Sequence, residues 1–345
     1  MNAGTRIARV SLLAAAVAMA TVTLLPREAA ACAGCRNPTL PQRPGDAGPL
    51  DSRWFLTVAA SSTTVDVSHP AGCEDIYNCS AVPIQPAHTH ELFIVPLQVA
   101  PSITYAATDR LGFELTTPVR MVHTNASYET PDGDAYTPVD AGVHHRDETL
   151  WGLSDARVAA QYAAQVGGFW LTTRVGTTLP TGRTEPDPFA AGDAGEAHQH
   201  IQFGSGTFEP TIGFNLTRGT AFVQWAAYAE GQFGLYENRH GFRAPIRGLF
   251  GTSADYRTML GHLFGASLEV SAEGPERWQG RIEQDASLGR TELLFGPQAS
   301  LAIGTSMHLF ASVRFVLYRD IVEGDEAPGD LKSPAAFSLG ASWAL

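Results

Sequence analysis

Beyond its first 31 residues this chain has no apolar run approaching the roughly 18 residues that a spanning helix requires. An α-helical membrane domain is therefore excluded. Charged side chains are scarce, at 17%, against about 25% in ordinary globular domains. Basic residues number 23 against 35 acidic ones, for a formal net charge of -12, which argues against nucleic acid as a partner. Cysteines are only four. Arg36 follows Cys35 where haem attachment would need His. No G-x-S-x-G nucleophile elbow is present: Gly204-Ser205-Gly206 lacks the spacing. His123 and Ser127 lie close in sequence, but at positions better suited to the edge of a membrane belt. An enzyme is not expected.

What is there points to export. Arg6 and Arg9 precede an apolar run from Val10 to Leu25, and Ala29-Ala30-Ala31 follows. This reads as a signal peptide over 1–31. A membrane anchor and a lipidated Cys32 are the alternatives. Residues 32–52 read as a Pro-rich periplasmic segment carrying Cys32 and Cys35, a disulfide pair, a soft-metal site or a tether near the mouth. Cys73 and Cys79 bracket a short acidic segment and read as a loop disulfide.

From 53 to 345 the pattern is a meander of alternating segments, an all-β antiparallel up-and-down transmembrane barrel. The last stretch is the clearest. Phe337, Leu339, Ala341, Trp343 and Leu345 alternate with Ser338, Gly340, Ser342 and Ala344, the period of a strand with one face in an apolar medium. A mean hydropathy near zero fits a barrel, because only alternate residues face lipid. Strands are expected at 53–67, 91–108, 111–127, 147–164, 167–181, 207–218, 220–236, 243–259, 262–276, 290–303, 306–320 and 334–345. That is twelve, an even number. Tight turns follow the second, fourth, sixth, eighth and tenth. Longer polar loops follow the others. This alternation predicts periplasmic turns and extracellular loops, with lipid outside.

Parity places the charges. Phe93, Val95, Leu97 and Val99 share a face opposite Gln98. Leu111, Phe113, Leu115 and Val119 oppose Glu114, Thr116 and Arg120. Val175 and Leu179 oppose Arg174. An Arg facing lipid at the midplane would cost about 2–4 kcal/mol, so the charges are expected in the lumen. These are Arg120, Arg157, Arg174, Arg247, Arg257 and Arg314, with Glu114, Asp155, Glu209, Glu230, Asp255, Glu269 and Glu292. They either pair to fill a narrow barrel or line a polar conduit. Leu92, Ile94 and Leu294 are apolar exceptions on that face.

Histidines gather at the loop end. His88 and His90 precede the second strand; His198 and His200 precede the sixth. Two imidazoles in H-x-H are workable Cu or Zn ligands, so a metal-binding mouth is one expectation and polar loop chemistry the other. Gly204-Ser205-Gly206 is read as a bulge that leaves Ile201 and Phe203 outward and the histidines inward.

Two segments carry a resemblance. Leu179-Pro180-Thr181-Gly182 ends the fifth strand, and Gly204-Ser205-Gly206-Thr207-Phe208-Glu209-Pro210 opens the sixth. Together they resemble the outer-membrane transporter-like family associated with the meta-pathway of phenol degradation. The resemblance implies a barrel that passes small hydrophobic or aromatic compounds. The C-A-G-C segment and the H-x-H units depart from that pattern and leave room for a metal-ion solute. The expected function is a channel or transporter-like barrel admitting or binding a small solute. A metal-displaying surface protein and a purely structural barrel are the rivals.

Overall fold

The computed structural model describes residues 52–71, 86–138, 145–194, 196–198, 200–283, 289–321 and 330–345. The expected signal peptide, nearly all of the expected periplasmic segment 32–52 and the four cysteines lie outside them. Twelve antiparallel strands form one closed sheet. β1 is Trp54–Thr63 continued by Val65–Ala71, and β2 is His88–Ala106. β3 is Leu111–Thr116 and Val119–Glu129; β4 is Glu148–Leu153 and Ala156–Val166. β5 is Phe169–Leu179, β6 Pro210–Gly219, β7 Val223–Gln232, β8 Arg247–Arg257 and β9 Leu263–Glu273. β10 is Arg290–Ile303, β11 Met307–Ile321, and β12 Asp330–Lys332 with Ala335–Ala344. β12 closes the sheet on β1, Phe55 opposite Ala344 and Ser62 opposite Phe337.

The four interrupted strands have a common cause. Proline has no N–H for the ladder. β1 breaks at Thr64, between the last pair with β2, Ser62–Leu97, and the next, Val65–Ile94, a gap that spans Pro96. β3 breaks at Pro118 and β12 at Pro334. β4 breaks beside Pro118, whose carbonyl accepts from Ser154 N–H at 2.9 Å.

The tight turns match the right-handed twist of their strands. Gly167 and Gly168 sit at φ +57° and +83° between paired Val166 and Phe169, a two-residue turn that favours positive φ at both positions. At the opposite end, connections run long.

The faces follow the expected parity. Val99, Phe113, Leu115, Val175, Phe214, Trp225, Phe250, Phe295 and Phe337 are exposed on the outside. Gln98, Thr104, Arg120, Thr172, Ser267, Glu269, Ser312 and Arg314 are buried inside. An apolar band of this extent is stable only in an apolar medium. Trp54–Tyr105 and Phe169–Trp225 ring pairs, 4.7 and 5.9 Å between centroids, mark the turn-end rim, where aromatic girdles sit. Leu339 is central in β12 and 63% exposed. Leu339→Arg is expected to cost about 2–4 kcal/mol, read as a lower urea midpoint for the folded, heat-modifiable gel band in lipid vesicles. An unchanged midpoint would mean this face is not in lipid.

Candidate functional site: an inward loop and the cavity beside it

The charges inside are paired. Arg157 meets Glu230 at 2.8 Å, Arg174 meets Glu114 at 3.6 Å, and Arg314 meets Glu269 at 2.7 Å. Arg247 meets Glu273 at 2.7 Å. Gln298 donates to Asp255 at 2.8 Å, and Arg257 donates to Gln224. Tyr228 lies over Gly251, where a Cβ would be 2.5 Å from the ring, and donates to Glu269. Removing one member of such a buried pair costs far more than the pair contributes, because it strands a charge in low dielectric.

One lumen pair escapes strict alternation. Leu293 faces Tyr318, but Leu294 faces Val316, so Leu317 is an extra residue in β11. The bulge switches inward parity from even to odd. Arg319 thereby reaches Glu292 at 2.7 Å. Nothing in the alternation of β11 signals this residue.

The loop after β5 does not stay outside. Ile201 and Phe203, expected outward, are buried inside the barrel mouth. They pack on Val65, Val67, Leu92, Ile94 and Val122, which face inward from β1, β2 and β3. Two of these, Leu92 and Ile94, are the apolar exceptions noted on the lumen face. The expected bulge fails because β6 starts only at Pro210, so 201–207 runs as an irregular strap inside the wall, turning at Gly206 with φ +70°. Its Ile201-Gln202-Phe203 stretch alternates in burial as a strand does, and its sequence looks the same.

The strap is held at both ends. Asp155, freed where β4 breaks, accepts from Gly182 N–H at 2.9 Å, Ser205 N–H at 2.6 Å and Ser205 Oγ at 2.7 Å. The chain crosses itself there: a Cβ on Gly182 would lie 2.7 Å from Gly204 Cα. Glycine at both positions is a requirement of close approach. The L-P-T-G and G-S-G-T-F-E-P segments thus meet at one carboxylate. Arg120 Nη1 donates to the Gln202 carbonyl at 2.9 Å, and its guanidinium lies 5.5 Å from the Phe203 ring. Gly152 leaves room for that ring, 3.3 Å from where its Cβ would be.

A second apolar cluster caps the other side: Phe242, Ala244 and Trp278, with Phe189 of helix α1, Pro188–Asp193. Asp187 caps that helix, accepting from Phe189 and Ala190 N–H. Phe242–Arg243 pairs with Arg277–Trp278 as a small ribbon. Between the strap and these loops lies a cavity of about 170 Å³ inside the barrel. Gln202, Phe203, Phe242 and Glu209 are among its walls.

The histidines split into two places. His88 is buried, and its Nδ1 donates to the Pro86 carbonyl at 2.8 Å. Its Nε2 faces His90 Nε2 at 2.9 Å. The His145 ring stands 5.3 Å from His90. The His198 and His200 rings meet edge to face at 5.1 Å, and His200 meets Phe189 the same way at 5.2 Å. Among the described residues, no group of three or more His, Cys, Asp or Glu side chains is placed to hold a metal ion.

No protein-family model and no curated protein matches the chain. Solved structures do. An outer-membrane channel from Pseudomonas putida F1 matches at 13% identity and TM-score 0.53, over 88% of this chain and 99% of that one. The P. putida toluene transporter TodX matches at 9% identity and TM-score 0.42, over 86% and 91%. A Pseudomonas aeruginosa FadL homologue matches at 10% identity and TM-score 0.38, over 86% and 91%. The first of these establishes the architecture: the chain folds as a closed β-barrel of the outer-membrane type.

Proposed function

We infer that the chain is an outer-membrane channel that admits a small hydrophobic solute through its loop end. The observation that carries this is the apolar patch inside the mouth. Val65, Val67, Leu92, Ile94 and Val122 face the lumen, and the strap covers them with Ile201 and Phe203. A water-filled pore has no use for an aliphatic wall, which water wets at a cost of about 25 cal/mol per Å². A solute that displaces the two side chains replaces their contacts. The channel named in the Pseudomonas putida F1 structure accords with this reading. An aromatic solute, as the two motifs imply, falls within the class.

The test is uptake by Gram-negative cells expressing the chain. Radiolabelled toluene should enter faster than in cells with an empty vector, while glycerol should not. A folded barrel that changes neither rate sinks the channel reading. The paired charges across the middle, Arg157–Glu230, Arg174–Glu114 and Arg314–Glu269, favour the second reading in that case, a structural barrel with a filled lumen.

A further inference from the structure

Buried polar atoms in folded chains are almost always hydrogen-bonded. Three that are not belong to residues that line the lumen cavity: Ser154 Oγ, Gln202 Nε2 and Glu209 Oε1. Each residue is otherwise fixed. Gln202 Oε1 accepts from Glu185 N–H at 2.9 Å. Glu209 is 2% exposed, and its other oxygen accepts from Gln232. Its backbone N–H donates to Thr178 Oγ1 at 2.9 Å. The residues around the cavity therefore hold a carboxylate oxygen, an amide N–H and a hydroxyl without hydrogen-bond partners, beside the apolar walls of Phe203 and Phe242.

The charge around it is close to even. Arg157, Arg247 and Arg290 stand against Asp155, Glu209, Glu230 and Glu273. Asp155 is already satisfied by three donors. A carboxylate solute would meet Glu209 directly, and a cation would compete with three guanidinium groups. The volume, about 170 Å³, is near the roughly 150 Å³ that takes benzene in a protein interior.

We propose that this cavity is a solute subsite selective for a small neutral alcohol: a single ring or short chain whose hydroxyl donates to Glu209 Oε1. This rests on the channel reading and narrows its solute class. A hydrocarbon of the same shape leaves the carboxylate oxygen unpaired, and an aldehyde brings a second acceptor against it.

The experiment is calorimetric titration of the refolded full-length barrel in amphipol with benzyl alcohol, benzaldehyde and toluene. Wild type should bind the alcohol about tenfold more tightly than either other probe, the scale of one hydrogen bond to a charged group. In Glu209→Gln, one amide oxygen can still accept from Gln232, but the free position becomes a donor. The preference should invert toward benzaldehyde. Gln202→Leu, on the strap, should weaken benzaldehyde in the Glu209→Gln background and serves alone if that variant misfolds. Equal affinity for all three probes in wild type overturns the proposal, as does a preference unaltered by Glu209→Gln. So does no binding of any probe, which would mean that the cavity holds water only. Equal binding with intact toluene uptake overturns the subsite and keeps the channel. A hydroxyl preference without uptake of any probe overturns the channel.

Discussion

Phe203→Ala should unseat the strap and open the mouth of the barrel. Phe203 is 2% exposed and packs inside the wall with Ile201. Two guanidinium groups, Arg120 and Arg183, stand 5.5 and 5.8 Å from its ring. Truncating a buried Phe costs about 3–5 kcal/mol. Here that loss falls on a local equilibrium, strap docked against strap free, while the ladders of the twelve strands stay intact. A shift of that size changes the docked-to-free ratio on the order of 10²–10⁴. Planar-bilayer recording is the measurement: long open events should appear in the variant that are rare in wild type. If conductance is unchanged while the variant folds normally, the strap is not what closes the mouth.

Asp155→Ala should release the same strap from its other side. The carboxylate takes three donors, two from Ser205 and one from Gly182. Hydrogen bonds to a charged group contribute about 1.5–3 kcal/mol each, so the loss is several kcal/mol even though they overlap. Arg183 is the reporter. Its N–H bonds the Leu153 carbonyl and its own carbonyl accepts from Gly204 N–H, while its side chain is half exposed. Backbone bonded on both sides is a poor protease substrate, and local opening exposes it. Trypsin should cut after Arg183 on the order of 10²-fold faster in the variant, the ratio for about 2.7 kcal/mol. Asp155→Asn should fall between, since one amide oxygen still accepts. A cleavage rate equal to wild type in both variants would show that Asp155 does not hold the strap.

Much of the wall was legible from alternation alone. Phe337 and Leu339 against Ser338, or Phe113 and Leu115 against Glu114, can satisfy lipid and lumen together in only one register. Arg120, Arg157, Arg174 and Arg314 were legible for the same reason, because the cost of a charge in lipid leaves them one face. Their pairing partners were not, since Arg157 and Glu230 are 73 residues apart in sequence. Nor was the strap. Ile201-Gln202-Phe203 has the period of two that a wall strand has, and only the late start of β6 at Pro210 moves it indoors. The Asp155 clamp was hidden too. It depends on the interruption of β4 beside Pro118, a property of two strands rather than one. His88 and His90 do meet, as H-x-H on one face requires, and so do His198 and His200, where the His200 ring also meets Phe189 on α1.

The extra residue at Leu317 bears on how this chain tolerates insertion and deletion. Most single-residue changes of length in a barrel are absorbed in its loops. Removing Leu317 would restore an unbroken ladder between β10 and β11, locally a gain of regular pairing. Tyr318, Arg319 and Asp320 would keep their partners Leu293, Glu292 and Thr291, and residues paired directly across an antiparallel ladder share a face. Arg319 would therefore stay inside on Glu292. Leu317 is thus a residue that this wall can lose without turning a charge to lipid, a deletion within a strand that behaves like one in a loop.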